Sequence, residues 1–230
     1  FTAAHHANEW ITATVLLKFA EELSRAILEK GEVYGIPANL FEENCQIFLV
    51  PMVDPDGVDL VTGGIAQGSI QWEQAKRLSN NYPSIPFPNG WKANLLGVDL
   101  NLQYPARWLQ AREIKFSQGY TRPGPRDYVG KAPLTQRESR ALADFTNYLD
   151  PALILAYHTQ GEQIYWKYDD IDVPGAVEMC FTPEQIREHP EYVTYNAFIP
   201  PHQLGYTMDE VDTSRTHCSV VNYVAVPEGY

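Results

Sequence analysis

The pattern of apolar and polar positions is most regular near the start of the chain, over residues 10–31. Apolar side chains recur there at helical spacing with charged residues between them, and Gly31 follows as a stop signal. The pattern predicts an amphipathic helix of about six turns. A capping box, Thr135-Gln-Arg-Glu138, predicts the start of a second helix that runs to about Tyr148.

Two short apolar runs predict buried β-strands. Residues 45–53 read CQIFLVPMV and residues 152–157 read ALILAY, without the polar alternation of a half-exposed strand. Asp-Pro-Asp-Gly at residues 54–57 predicts a turn after the first run. Residues 62–91 are rich in loop-forming residues and residues 104–133 lack periodicity, so both segments are predicted to be loops.

The order of these elements indicates the fold class. Alternation of strand, helix and strand is typical of an α/β domain with a mixed, mostly parallel sheet and helices on both faces. We predict one such domain over residues 1–230. The chain begins Phe-Thr-Ala-Ala without an initiator methionine, so we expect it to be incomplete at its termini.

Charge and composition exclude some classes of partner. The chain has 29 acidic and 17 basic residues and a formal net charge of −12, so we expect no binding of nucleic acid through a basic face. No apolar run approaches the roughly 20 residues of a membrane span. The three cysteines, at positions 45, 180 and 218, are not a disulfide framework. Cys45 opens an apolar run and is predicted to be an inert thiol in the core.

Candidate metal ligands stand in the stretch HHANEW, residues 5–10. His6 and Glu9 are spaced i, i+3 at a strand-to-helix junction, so both can face one ion; an ordinary helix start is the alternative. His158 follows the second predicted strand, at the edge where α/β sheets form sites. Two histidines, one glutamate and a water are the ligands of a catalytic zinc. His5 is expected to point away, behind the ligands or into the core.

Five stretches of the chain resemble the zinc carboxypeptidase superfamily, in particular its bacterial branch of γ-D-glutamyl-L-diamino acid endopeptidases. They are HANEWIT (6–12), VPMVDPDGVDLV (50–61), GWKANLLGVDLNLQYPA (90–106), PRDYVG (125–130) and LILAYHTQGEQIYWKY (153–168). The resemblance is clear over residues 1 to about 175 and fades over residues 176–230. It implies a zinc carboxypeptidase-like fold.

The resemblance also implies roles for single residues. His6, Glu9 and His158 match the three zinc ligands of the family. Lys92 stands where the family often has an arginine that polarises the scissile carbonyl, and a surface lysine is the alternative.

Two neighbouring positions bear on the substrate. Asn101 matches an asparagine that helps to hold the substrate, although it could instead cap a turn. Leu102 stands where exo-acting relatives have an arginine for the terminal carboxylate, which leucine cannot bind. This departure favours an endopeptidase over a general carboxypeptidase.

The family also implies a glutamate that acts as general base on a late strand. Glu228 follows the apolar run 220–226 and is the first candidate. Glu210 is the second, although it lies earlier in the chain than the resemblance implies for this glutamate. The third possibility is that the base is absent from this chain.

We therefore predict zinc-dependent hydrolysis of the γ-D-glutamyl-diaminopimelate bond in peptidoglycan peptides, with a cell-wall muropeptide as the partner. The alternatives are a zinc- or muropeptide-binding domain without a general base, a metallocarboxypeptidase, and an N-acyl amino acid deacylase. The source is expected to be bacterial, and the compartment stays open between the cytoplasm and the cell wall.

Overall fold

The computed structural model describes residues 1–159 and, as backbone, two later strands at 163–168 and 207–211. The helices in this part of the chain are α1 (Ile11–Glu29), α2 (Ala38–Asn44), α3 (Pro55–Thr62), α4 (Ile70–Ser79), α5 (Trp108–Ser117) and α6 (Arg137–Leu149). The strands are β1 (Glu32–Val33), β2 (Ile36–Pro37), β3 (Gln163–Tyr168) and β4 (Thr207–Val211). Strands β1 and β2 pair antiparallel, and β3 and β4 pair parallel.

The predicted first helix is confirmed as α1. Its apolar stripe is buried at Leu16, Leu23 and Ala26, and part of that stripe packs against Val33. The helix ends at Lys30, whose left-handed backbone (φ 53°) directs its N–H back to the carbonyls of the last turn. None of the described helices is both long and apolar enough to cross a membrane.

The predicted second helix is present as α6, but its predicted capping box is wrong. The helix begins after Gln136, without a side-chain cap. The Thr135 hydroxyl lies 2.9 Å from Gln103 Oε1, and Glu138 Oε1 accepts a hydrogen bond from Asn94 at 3.2 Å. Both side chains of the motif therefore serve tertiary contacts instead of the helix terminus.

The two apolar runs are extended but form no regular strands. Each run makes one isolated parallel bridge to Thr2, through Val50 in the first and Ala156 in the second. The segment at the start of the chain thus lies between the runs and aligns them. Three parallel segments agree with a mixed helix-and-sheet fold, while the wider parallel sheet stays a prediction.

Cys45 is exposed, so its prediction as a core thiol is wrong. The residue ends α2, where its N–H donates to Phe41 O at 2.9 Å, and the apolar run becomes partly buried only after it. Periodicity cannot show this, because an apolar run does not reveal where a preceding helix stops.

Three predictions of irregular structure are also wrong. Asp-Pro-Asp-Gly is the start of α3 and not a turn: Asp54 Oδ1 accepts from Gly57 N at 3.1 Å, and Pro55 occupies the first helical position. The segment 62–91 contains α4, and the segment 104–133 contains α5. Helix α5 was missed because its buried side includes a lysine, which interrupts the apolar stripe.

Two apolar clusters hold the segment that runs from Trp91 to Tyr104. Trp91 packs with Leu60 and other residues in one cluster, and Tyr104 packs with Trp108 in the other. Trp91 and Tyr104 are fully buried. The polar residues between them are consequently carried on a segment that is anchored at both ends.

Candidate metal centre

His6 and Glu9 are brought together by a short 3-10 helical turn, Ala7–Glu9, that precedes α1. His6 stands directly before this turn with an extended backbone, φ −110° and ψ 134°. The turn then brings Glu9 back, so that its Oε1 lies 3.1 Å from His6 Nδ1. Both side chains are almost fully buried and face the same side.

His158 reaches this pair from the other end of the described chain. Its Nδ1 lies 2.8 Å from Glu9 Oε2 and 3.2 Å from His6 Nδ1, two residues beyond the bridge at Ala156. One ligand atom from each of the three residues lies within 4.8 Å of the others. Ligands of a tetrahedral zinc stand roughly 3.4 Å apart, so a small outward movement of these donors would admit the ion.

Asp99 contacts Nε2 of His6, the ring nitrogen on the opposite side from Glu9 and His158. Its Oδ1 lies 3.1 Å from His6 Nε2, and its carboxylate also accepts the backbone N–H groups of Asn101 and Asp127 at 3.2 Å each. A carboxylate behind a histidine fixes the ring orientation and directs the other nitrogen at the metal. His6 therefore presents Nδ1 to Glu9 and His158.

Lys92 contributes a buried cation to the centre. Its Nζ lies 3.0 Å from Glu9 Oε1, and its side chain is 8% exposed. The alternative of a surface lysine is therefore excluded.

The protonation of the donors reflects burial and charge together. Burial alone would lower the pKa of His6, but the charges of Asp99 and Glu9 and their hydrogen bonds to the ring together outweigh it and raise this pKa to about 9. For Glu9, burial is outweighed by the hydrogen bonds from His158 and His6, which lower its pKa. Burial lowers the pKa of His158. An ionised carboxylate and a neutral imidazole are ready to ligate, and a metal would displace the proton of His6.

His5 is buried beside the centre and is not one of the three donors. Its Nε2 lies 3.1 Å from the Tyr104 hydroxyl, and its ring centroid is 5.6 Å from that of His158. Burial lowers the pKa of His5 well below its ordinary value, so the ring is neutral. His5 thus forms part of the wall behind His158.

The two residues expected to bear on the substrate lie in different surroundings. Asn101 is buried, and its Oδ1 has no hydrogen-bond partner among residues 1–159. It does not cap the 3-10 turn Leu100–Leu102, because the side chain of Asp99 caps that turn. Leu102 is 1% exposed and packs in the cluster of Tyr104 and Trp108, so its side chain belongs to the core.

The structure describes the side chain of neither candidate for the general base. Glu228 lies beyond the described residues, and Glu210 lies in β4, of which the backbone alone is described. Their roles stay predictions.

Asp99 was missed by reasoning from the sequence. The available signal was an acidic residue between two apolar ones, Val98 and Leu100, in the same stretch as Asn101. A buried carboxylate needs a partner, and His6 is that partner.

Comparisons with known proteins identify the family to which this chain belongs. The profile of the zinc carboxypeptidase family matches residues 1–213. γ-D-Glutamyl-L-diamino acid endopeptidase 1 of Lysinibacillus sphaericus is 40% identical over 179 residues, which are 78% of this chain and 43% of that protein. The uncharacterised protein YqgT of Bacillus subtilis strain 168 is 41% identical over 171 residues, 74% of this chain and 43% of its own length. The chain thus spans less than half the length of these relatives. On the family match, which extends over most of its length, the chain belongs to the zinc carboxypeptidase family.

Proposed function

We propose that residues 1–230 form one zinc metallopeptidase domain that hydrolyses the γ-D-glutamyl-diaminopimelate bond of cell-wall peptides. The observation that carries this proposal is the convergence of His6, Glu9 and His158 to within 4.8 Å. Membership of the zinc carboxypeptidase family supports the choice of zinc over other divalent ions.

The roles of the residues follow from their contacts. His6, Glu9 and His158 would hold the ion, and Asp99 would keep His6 in the ligating orientation. Zinc at such a site supplies a Lewis acid that polarises a carbonyl and activates water. Lys92 places a second positive charge beside Glu9, where it would stabilise negative charge on the substrate oxygen.

The substrate class rests on one departure and one relative. Leu102 is buried where the resemblance expects the arginine of exo-acting enzymes, so it offers no cation for a terminal carboxylate. The relative from Lysinibacillus sphaericus is named as an endopeptidase of γ-D-glutamyl-L-diamino acid bonds. Asn101, whose buried Oδ1 has no hydrogen-bond partner among the described side chains, would bind the substrate. Glu228 is the proposed general base.

The decisive assay compares two substrates in one series. A γ-D-glutamyl-diaminopimelate peptide and a peptide with a free C-terminal residue are incubated with the zinc-loaded protein, with the chelated protein, and with His158→Ala. We expect cleavage of the first peptide by the zinc-loaded protein alone. Glu228→Gln is expected to abolish cleavage while zinc binding is retained.

Three results would contradict the proposal in different ways. Release of single C-terminal residues would make the protein a carboxypeptidase. Cleavage of neither peptide with zinc bound would favour a binding domain without turnover. Cleavage that persists both after chelation and in His158→Ala would show that hydrolysis does not require the metal.

A further inference from the structure

We propose that Lys115 and Asp127 are positioning residues for the metal centre. Their ion pair holds residues 125–128, called here the 125–128 loop, which in turn fixes Asp99 and Lys92. The inference rests on the proposed metal site and adds two residues that make no direct contact with its ligands.

The ion pair is buried and connects the loop to a helix. Lys115 Nζ on α5 lies 2.9 Å from Asp127 Oδ1, and the two side chains are 9% and 11% exposed. Arg126 Nε contacts the other oxygen of Asp127. Removing two charges from water is costly, and an apolar pair of similar volume would often be as stable. Stability alone therefore does not explain why charges occupy this place.

The backbone of Asp127 leads from the ion pair to the metal centre. Its φ of 64° lies in the left-handed region, which few residues other than glycine adopt. In this conformation its N–H donates to Asp99 Oδ2 at 3.2 Å, while Asp99 N donates to Tyr128 O at 2.9 Å. The loop thus forms hydrogen bonds with both the side chain and the backbone of Asp99, which orients His6.

The same loop also holds Lys92. Pro125 O accepts hydrogen bonds from Lys92 N at 2.7 Å and from Ala93 N at 2.9 Å. One loop is therefore in contact with the support of a ligand histidine and with the buried ammonium beside Glu9. A shift of this loop would disturb both together.

The test separates positioning from stability with a double-variant cycle. Lys115→Met leaves Asp127 with the partly exposed Arg126 but without its buried partner, and Asp127→Asn leaves the buried Lys115 ammonium without its carboxylate. Each variant is therefore expected to lower the melting temperature. The double variant removes both charges, and asparagine tolerates the left-handed backbone. We expect the double variant to regain most of the lost melting temperature.

Zinc affinity, measured by competition with a chromophoric chelator, separates the two roles. A loss of stability alone would not weaken zinc binding by the folded protein. We expect the double variant to bind zinc about 10-fold more weakly or worse, as for other changes behind metal ligands. The matched control is the exposed pair Lys18–Glu21, at 3.0 Å. Lys18→Met combined with Glu21→Gln should leave zinc affinity unchanged.

Zinc affinity of the double variant equal to that of the unaltered protein would overturn the inference. If the double variant does not fold, Lys115→Met alone is measured instead, because it removes the donor to Asp127 and leaves Asp127 itself in place. A weaker zinc affinity then supports the inference, and an unchanged one overturns it. Failure of the unaltered protein to bind zinc, or undiminished binding by His158→Ala, would instead refute the proposed metal site.

Discussion

Among residues 1–159, the buried charged side chains face groups of opposite charge, with one exception. Glu9 meets Lys92, and Lys115 meets Asp127. Asp54 is fully buried, but within the described part of the chain its Oδ2 has no hydrogen-bond partner. Burial raises the pKa of Asp54 well above its ordinary 3.8, although the bond from Gly57 N opposes the shift.

Asp54→Asn should therefore stabilise the protein increasingly as pH rises. The folded state favours the protonated carboxyl, so native stability falls as pH rises above 3.8 toward the folded-state pKa. Asparagine keeps the cap of α3 and carries no charge. We expect the melting temperature of the variant to exceed that of the unaltered protein by a few degrees at about pH 8, and by less at about pH 5.

The control for this prediction is Asp56→Asn, which changes an exposed carboxylate in the first turn of the same helix. It should not produce a stabilisation that grows with pH. A melting temperature of Asp54→Asn below that of the unaltered protein at every pH would mean that the ionised carboxylate is stabilised after all.

Helix α3 shows how an element supports the centre. Its first turn packs beside the 3-10 turn that carries Glu9, and Gly57 makes the close approach possible. A Cβ at Gly57 would lie 2.1 Å from Asp54 Oδ2 and 2.9 Å from Ala7 Cβ. The glycine is needed for space, because the Asp54 cap and the 3-10 turn Ala7–Glu9, called here the ligand turn, both approach it closely.

Gly57→Ala is expected to lower the free energy of unfolding by about 1–3 kcal/mol, the usual cost of forcing an extra carbon into a packed site. Chemical denaturation measures this change. Gly31→Ala is the matched control, because the nearest atom to its new Cβ would be Ala26 O at 4.0 Å. A Gly57→Ala variant as stable as the control would contradict the close packing of α3 on the ligand turn.

At the scale of the whole molecule, the candidate metal centre brings together two distant parts of the chain. His6 and Glu9 lie near the start, and His158 lies near the end of the continuously described segment. An ion held by all three would link these parts, and any ligand that binds only the folded protein raises its stability.

Zinc should therefore raise the melting temperature of the whole protein. Free zinc at about 100 times its dissociation constant contributes about 2.7 kcal/mol, or roughly 5–10 °C for a protein of this size. Differential scanning fluorimetry with and without zinc measures the shift. His158→Ala should abolish it, and an equal shift in that variant would place the ion elsewhere.

Local patterns determined a definite part of this protein. The amphipathic period determined α1, because a stripe of apolar side chains buries itself on any core that is available. Ligand chemistry selected His6, Glu9 and His158, because two imidazoles and a carboxylate are zinc donors wherever they meet. Family-like motifs pointed to Lys92.

Tertiary structure alone decided the rest. Asp-Pro-Asp-Gly suits a turn and a helix start equally well, and packing against the ligand turn selects the helix. Thr135 and Glu138 could have capped α6, but Gln103 and Asn94 offered them other partners. Asp99 supports His6 across 93 residues of sequence. Such choices depend on groups that are distant along the chain, and only folding brings those groups within hydrogen-bonding distance.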